Sequence, residues 1–287
     1  MVKGRKEKMH IFSPQVWWSV IKEIFFALGE KNLGMLGASI AFYATLSFFP
    51  LIASLVAIGG IVLEPHQMAE VGSSIASYMP QDIANLVTTQ LSNATQNKEA
   101  NPFIAVIALT LAIFSISGAV NTAMTATNIA YGIKENRNPI RLKLIGMFWA
   151  LGLVVSLAII LPVLFINTSF LKDVGLNGVV IASYSVLRWV TLFLVVVVGL
   201  AFFYHYGPNR ARTPFQWFSR GAVIATIMWL IVTAGFFIYL QYFANFSDSY
   251  SLFAGIIAMM LWLNLTSFIV VIGAEINHRL DKHLGTN

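Results

Sequence analysis

Seven polar side chains fall inside or at the ends of long apolar runs: Tyr43, Asn121, Asn128, Arg188, His205, Asn264 and Glu275. An unsatisfied polar group is costly in hydrocarbon, so each needs a partner, a cavity or a route to the headgroups. Arg188 is the basic residue placed well inside a run. At about nine residues from the outer end and about 1.5 Å of rise per residue, its Cα lies roughly 13 Å deep. From there the guanidinium either snorkels to the outer headgroups or presents a fixed cation to an anionic substrate. Asn121 and Asn128 stand one above the other on a helix, and Asn264 lies near the middle of another run. Structurally they would make interhelical hydrogen bonds worth about 1 kcal/mol or less each; functionally they would line a polar path. Glu275 closes the last run, where Tyr204 and His205 also arrive. A carboxylate has the wrong sign for a helix C-terminus. It therefore calls for a cationic partner, expected from the arginines between 207 and 220, and is either a structural salt bridge or a proton- or ion-coupling site.

Enzymatic chemistry has no comparable footing. The sequence contains no HExxH, GxSxG or Walker loop, its five histidines (His10, His66, His205, His278, His283) are scattered, and it has no cysteine. No catalytic, cofactor or metal site is expected.

The elements that position these residues are membrane helices. Of 287 residues, 57% are hydrophobic and 10% charged, well outside the range of soluble domains. Six runs, roughly 34–63, 103–127, 142–166, 179–205, 215–243 and 251–275, reach the length of about 20 residues that a bilayer core demands. The first is too long and too late to be a removable signal peptide. Pro50 should kink it, Pro162 should bend the third, and Asn101-Pro102 reads as an N-cap with proline in the first turn. Fifteen of the 18 Lys and Arg residues fall before the first run or in alternate gaps, while the opposite gaps hold only Lys98 and Lys172. The positive-inside rule then puts both termini in the cytoplasm, and the net charge of +6 reflects topology and anionic headgroups.

The expected organisation is a basic cytoplasmic segment, 1–32, a six-span domain, 33–278, and a cytoplasmic tail, 279–287. Within 14–30, Val16, Trp17, Val20, Ile21, Ile24, Phe25 and Leu28 recur at helical spacing opposite Ser19, Lys22 and Glu23. This is the pattern of an amphipathic helix lying in the interface, with packing beneath the bundle as the alternative. Residues 64–101 read as two short helices parted at Pro80, forming an extracytoplasmic cap. Small residues recur at Gly34, Gly37, Ala38, Ala41 and Ala44, at Ser115, Gly118, Ala119, Thr122 and Ala123, and at Ala254, Gly255 and Ala258, where other helices can approach closely. No repeat period is evident, and the two halves lack the similarity found in many transporters.

The stretch from Gly37 to Pro50, GASIAFYATLSFFP, resembles the first-span signature of the bacterial YihY/BrkB family, once labelled ribonuclease BN. Asn128-Ile129-Ala130-Tyr131-Gly132 with Arg137, Tyr206-Gly207-Pro208-Asn209-Arg210, Arg220-Gly221-Ala222 through Trp229, Leu261-Trp262-Leu263, and Gly273-Ala274-Glu275-Ile276-Asn277 continue the likeness over about 30–280. It departs at Phe42, where many relatives have a second tyrosine, and at Asn264, which replaces a tyrosine or apolar residue. The resemblance implies an all-α, six-span protein of the bacterial inner membrane. It carries no catalytic residue across, and the ribonuclease label finds no clustered metal ligands here. Transport of lipid or envelope intermediates is the leading expectation, with a scaffold for envelope assembly as the alternative and a lipid-modifying enzyme third. The expected partners are membrane lipids, a lipid or anionic substrate and further copies of the chain, not nucleic acid.

Overall fold

The computed structural model describes residues 14–62, 64–76, 84–85, 88–89, 102–164, 175, 177–210, 215–243 and 251–284. Their long helices are α1 (Pro14–Glu30), α2 (Leu33–Val62), α3 (Pro65–Ala76), α4 (Pro102–Tyr131), α5 (Pro139–Leu164), α6 (Gly178–Tyr206), α7 (Arg220–Phe243) and α8 (Ser251–Leu284). No strand occurs among the described residues.

Local chemistry sets many of the helix ends. Four helices start on proline, whose missing N–H costs nothing in the first turn. Asn177 caps α6 by accepting a 3.0 Å hydrogen bond from the Val180 amide. Ser219 caps α7, its hydroxyl accepting from the Ala222 amide at 3.3 Å. That cap explains why α7 begins at Arg220 rather than 215, with Trp217 and Phe218 left in a turn. Gly132, at φ 68°, ends α4 in the left-handed conformation, and Asn32, at φ 50°, makes the turn between α1 and α2.

Among the described residues, five helices are long and apolar enough to cross a membrane. The two segments of α2, Leu33–Phe48 and Pro50–Val56, meet at 41° around the expected proline break and make a sixth when counted as one span. The protein is thus an all-α integral membrane protein. α5 continues through Pro162 to Leu164, and α8 runs on through 279–284. The first of the two short helices expected in 64–101 is α3; the second lies mostly outside the described residues, with helix at 84–85 and 88–89.

α8 is the central helix, packed against α1, α2, α4 and α7. The end of the bundle holding α1 and the C-terminal part of α8 is here called the base. A buried cluster there draws on Ala27, Leu33, Ala126, Ala130, Val197, Ala201, Ala222 and Ala274, from six helices. Toward the other end, among the described residues, Ala112, Ile116, Ala150 and Val154, with Leu51 and Leu55, join α2, α4 and α5. Small residues make the tight base possible: a Cβ on Gly37 would stand 2.9 Å from the Phe268 Cα.

α1 departs from the one-sided stripe. Val16 and Val20, with Trp17, Ile24 and Leu28, pack against Ile272, Ile276 and Leu280 of α8 and Ile224 and Met228 of α7. Trp18, Ile21, Phe25 and Phe26 are exposed on other faces. The helix is therefore apolar on two sides, because Glu23 is drawn inward by ion pairs rather than left to solvent.

Candidate functional site

The base is closed by two polar networks. In the first, the Glu275 carboxylate is fully buried (0% side-chain exposure) between two cations. Lys31 Nζ donates to its Oε2 at 2.6 Å and to the Ala130 carbonyl at 2.7 Å, tying the α1–α2 turn to α8 and the end of α4. Arg279 Nε donates to Oε1 at 2.7 Å, and its Nη1 reaches Glu23 Oε2 at 3.0 Å. His283 Nε2 lies 3.0 Å from Glu23 Oε1, and the Ser19 hydroxyl donates to the same oxygen at 3.2 Å. Burial acts to raise the Glu23 pKa, but the hydrogen bonds from His283 and Arg279 prevail and hold it below the ordinary carboxylate value. Glu275 thus finds its partners in Lys31 and Arg279, not in the 207–220 arginines. The reason is packing: α1 folds back onto α8 and brings Lys31 in, while Arg279 lies one turn further along the same helix.

The second network locks two connections together. Asn128 Nδ2 donates to Glu135 Oε2 at 2.8 Å, and Asn128 Oδ1 accepts from the Asn209 amide at 2.7 Å. Arg137 holds Glu135 in a fork, Nε to Oε1 at 2.8 Å and Nη2 to Oε2 at 2.6 Å, and Nη2 also donates to the Gly207 carbonyl at 3.0 Å. The Arg137 hydrogen bonds outweigh burial and keep the Glu135 pKa below its usual range. The α4–α5 connection is thereby fastened to the α6–α7 connection.

Tyr131 lies in a third cluster at the base. Its ring lies 5.0 Å from the Arg210 guanidinium and 6.0 Å from the His278 ring, and Arg210 reaches Asp281 at 3.8 Å. Burial pushes the Tyr131 phenol up to about 12, against the pull of Arg210. Asn277 accepts from the Gly221 amide at 2.7 Å and donates to the Ser219 hydroxyl at 3.2 Å. The Tyr204 hydroxyl donates to the Val270 carbonyl at 2.8 Å.

Two of the seven candidate residues, Asn128 and Glu275, therefore sit in the networks. His205 turns away, half-buried against Tyr206 and Phe215 at 4.3 and 5.3 Å between ring centroids, because one helical step separates it from Tyr204. Asn121 faces Gly146 of α5, with its Oδ1 buried and, among the described residues, without a hydrogen-bond partner. Asn264 is half-buried on α8. Tyr43 is 44% exposed and lies over Gly118. Arg188 belongs to the less exposed stripe Ile181, Tyr184, Arg188 and Thr191; its Nε is buried without a hydrogen-bond partner among the described residues, and its guanidinium lies 5.6 Å from the Trp189 ring centroid.

Sequence reasoning missed Lys31, Glu23, Glu135, Arg137, Arg210 and Asp281 as site residues, since charges outside the runs read as topology signals. The available signal was the set of family-like segments. Those around Asn128, Gly207, Gly221 and Glu275 are far apart in sequence, and the fold gathers them at the base. Among the described residues no three His, Cys, Asp or Glu side chains come together as a metal site.

An all-α membrane protein of several spans, fastened at one end by interlocked ion pairs, is the class that this fold and site define. The chain belongs to the family described as Virulence factor BrkB, which matches residues 24–286. It is 28% identical over 268 residues to YfkH of Bacillus subtilis, a protein with a ribonuclease-like name, covering 92% of this chain and 96% of that protein. It is 24% identical to a UPF0761 membrane protein of Methylibium petroleiphilum, over 91% of this chain and 62% of the relative. A UPF0761 membrane protein of Teredinibacter turnerae is 23% identical over 91% of the chain, which spans 60% of it. The chain thus covers nearly all of YfkH but about three-fifths of these two longer relatives. No solved structure matches it.

Proposed function

We propose that this chain is a transporter or flippase-like protein of the bacterial plasma (inner) membrane, moving lipid or envelope intermediates, with the base on the cytoplasmic side as its closed gate. The observation that carries this reading is the asymmetry of closure. Among the described residues, six helices share one buried cluster at the base, sealed by the Glu275 and Asn128 networks, whereas the cluster toward the other end unites α2, α4 and α5. A substrate path closed at one end has this form, and ion pairs suit a gate because they can exchange partners as helices separate. Arg188, on the inward stripe of α6, supplies a cation on the side away from the base. The absence of enzyme motifs fits a protein that moves its substrate unchanged.

The test is translocation in vesicles. The purified full chain would be reconstituted with a fluorescent anionic phospholipid, and the inner-leaflet probe followed by its exposure to an impermeant quencher. Wild type should expose the inner-leaflet probe, and Arg188→Gln, with normal insertion and melting behaviour, should stop this. Arg188→Lys should fall between them, since it keeps the charge but loses the planar fork. Failure of the wild-type chain to move phospholipids of any headgroup would overturn the reading and favour a scaffold for envelope assembly.

A further inference from the structure

A second intramembrane cation lies where its own helix would not be expected to send it. Lys143 stands near the start of α5 (Pro139–Leu164), the end that lies at the base. Helical side chains lean toward the N-terminus, so snorkelling would take this ammonium back to the basal headgroups. It reaches the other way. Lys143 Nζ lies 3.9 Å from the Phe114 ring centroid and donates to the Phe114 carbonyl at 3.3 Å, within the apolar segment Val106–Ala130 of α4. Gly146, further along α5, meets Asn121, which is closer to the base than Phe114, so the lysine reaches past the level of its own successor residues. The Phe114 carbonyl also accepts from the Ser117 hydroxyl at 2.6 Å. Among the described residues, no carboxylate pairs with Lys143.

The surroundings are an exposed face of α4 between α2 and α5. Ile107, Leu111, Phe114, Thr125 and Ile129 of α4 are exposed at helical spacing, and Gly118 falls on the same stripe. Tyr43 of α2 borders it on one side, its ring 3.4 Å from where a Cβ on Gly118 would stand, and Lys143 of α5 borders it on the other. Phe114 is 60% exposed and Tyr43 44%, so the stripe and one of its borders are open at the surface. An ammonium held over an apolar stripe, with one carbonyl and a ring for company, lacks the anion that would offset its desolvation.

We propose that this face, with Lys143 on one side and the Tyr43 phenol on the other, binds the phosphate-bearing headgroup of a membrane phospholipid drawn into the bilayer. Any phosphate loses hydration at this depth, but a lipid also lays its chains along the exposed apolar stripe, which a free anion cannot do. The site deepens the lipid-handling reading, but binding is measured without translocation. The full chain, in nanodiscs of phosphatidylcholine containing phosphatidylglycerol, would be released for native mass spectrometry and its retained lipid identified. Wild type should retain phosphatidylglycerol. Lys143→Gln should lower retention about tenfold, as loss of one charge-assisted contact would, with Lys143→Arg close to wild type. Gly118→Leu, which adds bulk on the stripe and leaves every charge in place, should lower it as well and decides the matter if Lys143→Gln does not fold. Excess inorganic phosphate should leave the retained lipid in place; displacement would mean a site for soluble anions and end the lipid assignment. Wild-type retention in Lys143→Gln, or in Gly118→Leu, would overturn the site. Intact retention without translocation would instead sink the transport reading and leave the site standing.

Discussion

At the residue scale, Glu275 is the most constrained group in the base. A buried charge loses several kcal/mol of hydration, and one partner rarely restores it; two cations with hydrogen bonds at 2.6 and 2.7 Å satisfy both of its oxygens. Removing the carboxylate leaves Lys31 and Arg279 facing each other in a poorly hydrated pocket, the costlier way to break such a pair. Glu275→Ala is therefore expected to destabilise the protein by roughly 3–5 kcal/mol, and Lys31→Met by less, since Arg279 remains. Thermal unfolding of the full chain in detergent checks this. Equal melting of Glu275→Ala and wild type would show that the network does not hold the base.

At the element scale, glycine separates the crossings that matter from those that do not. α7 and α8 meet backbone to backbone where Gly221 faces the Gly273 carbonyl and Asn277, and Gly273 in turn faces the Tyr204 hydroxyl and Ala225. A methyl group on Gly221 has no room, so Gly221→Ala should destabilise by about 1–3 kcal/mol through overpacking. Gly199, inside α6, has nothing within 4 Å of where a Cβ would stand, and Gly199→Ala should gain about 0.5–1 kcal/mol from helix propensity alone. The paired melting temperatures should move in opposite directions. Movement of both in the same sense would mean that the α7–α8 crossing is looser than its geometry. α1 follows the same logic: Val16 and Val20 fasten it to α8, leaving Trp18, Ile21, Phe25 and Phe26 exposed.

At the scale of the whole molecule, the cation distribution and the closed base lie at the same end. Lys31, Arg137, Arg210 and Arg279, all placed by sequence on the cytoplasmic side, are cations of the two networks and of the Tyr131 cluster. Topology and closure are thus served by the same side chains. The chain has no cysteine, so single probes are easily introduced. In intact cells, an impermeant thiol reagent should label Thr95→Cys and leave Lys6→Cys and Thr286→Cys untouched. Labelling at either terminus would invert the assignment of the base to the cytoplasm.

Hydrophobicity and charge depend on composition within a short window, so the number of spans, the break at Pro50 and the proline-led start of α4 were legible in the sequence. The need for a partner at Glu275 was legible too, from its sign at a helix end. Its identity was not, because Lys31 lies 244 positions away and meets it only after α1 folds onto α8. Neither was the direction of Lys143, which the basic pattern assigns to a connection and the α4–α5 crossing turns toward Phe114. Nor could the stripe of α1 show that it has two apolar faces, since helical spacing records which residues share a side but not which side a neighbour covers. The spans belong to local chemistry; partner choice in this protein belongs to helix crossings, which only the tertiary structure determines.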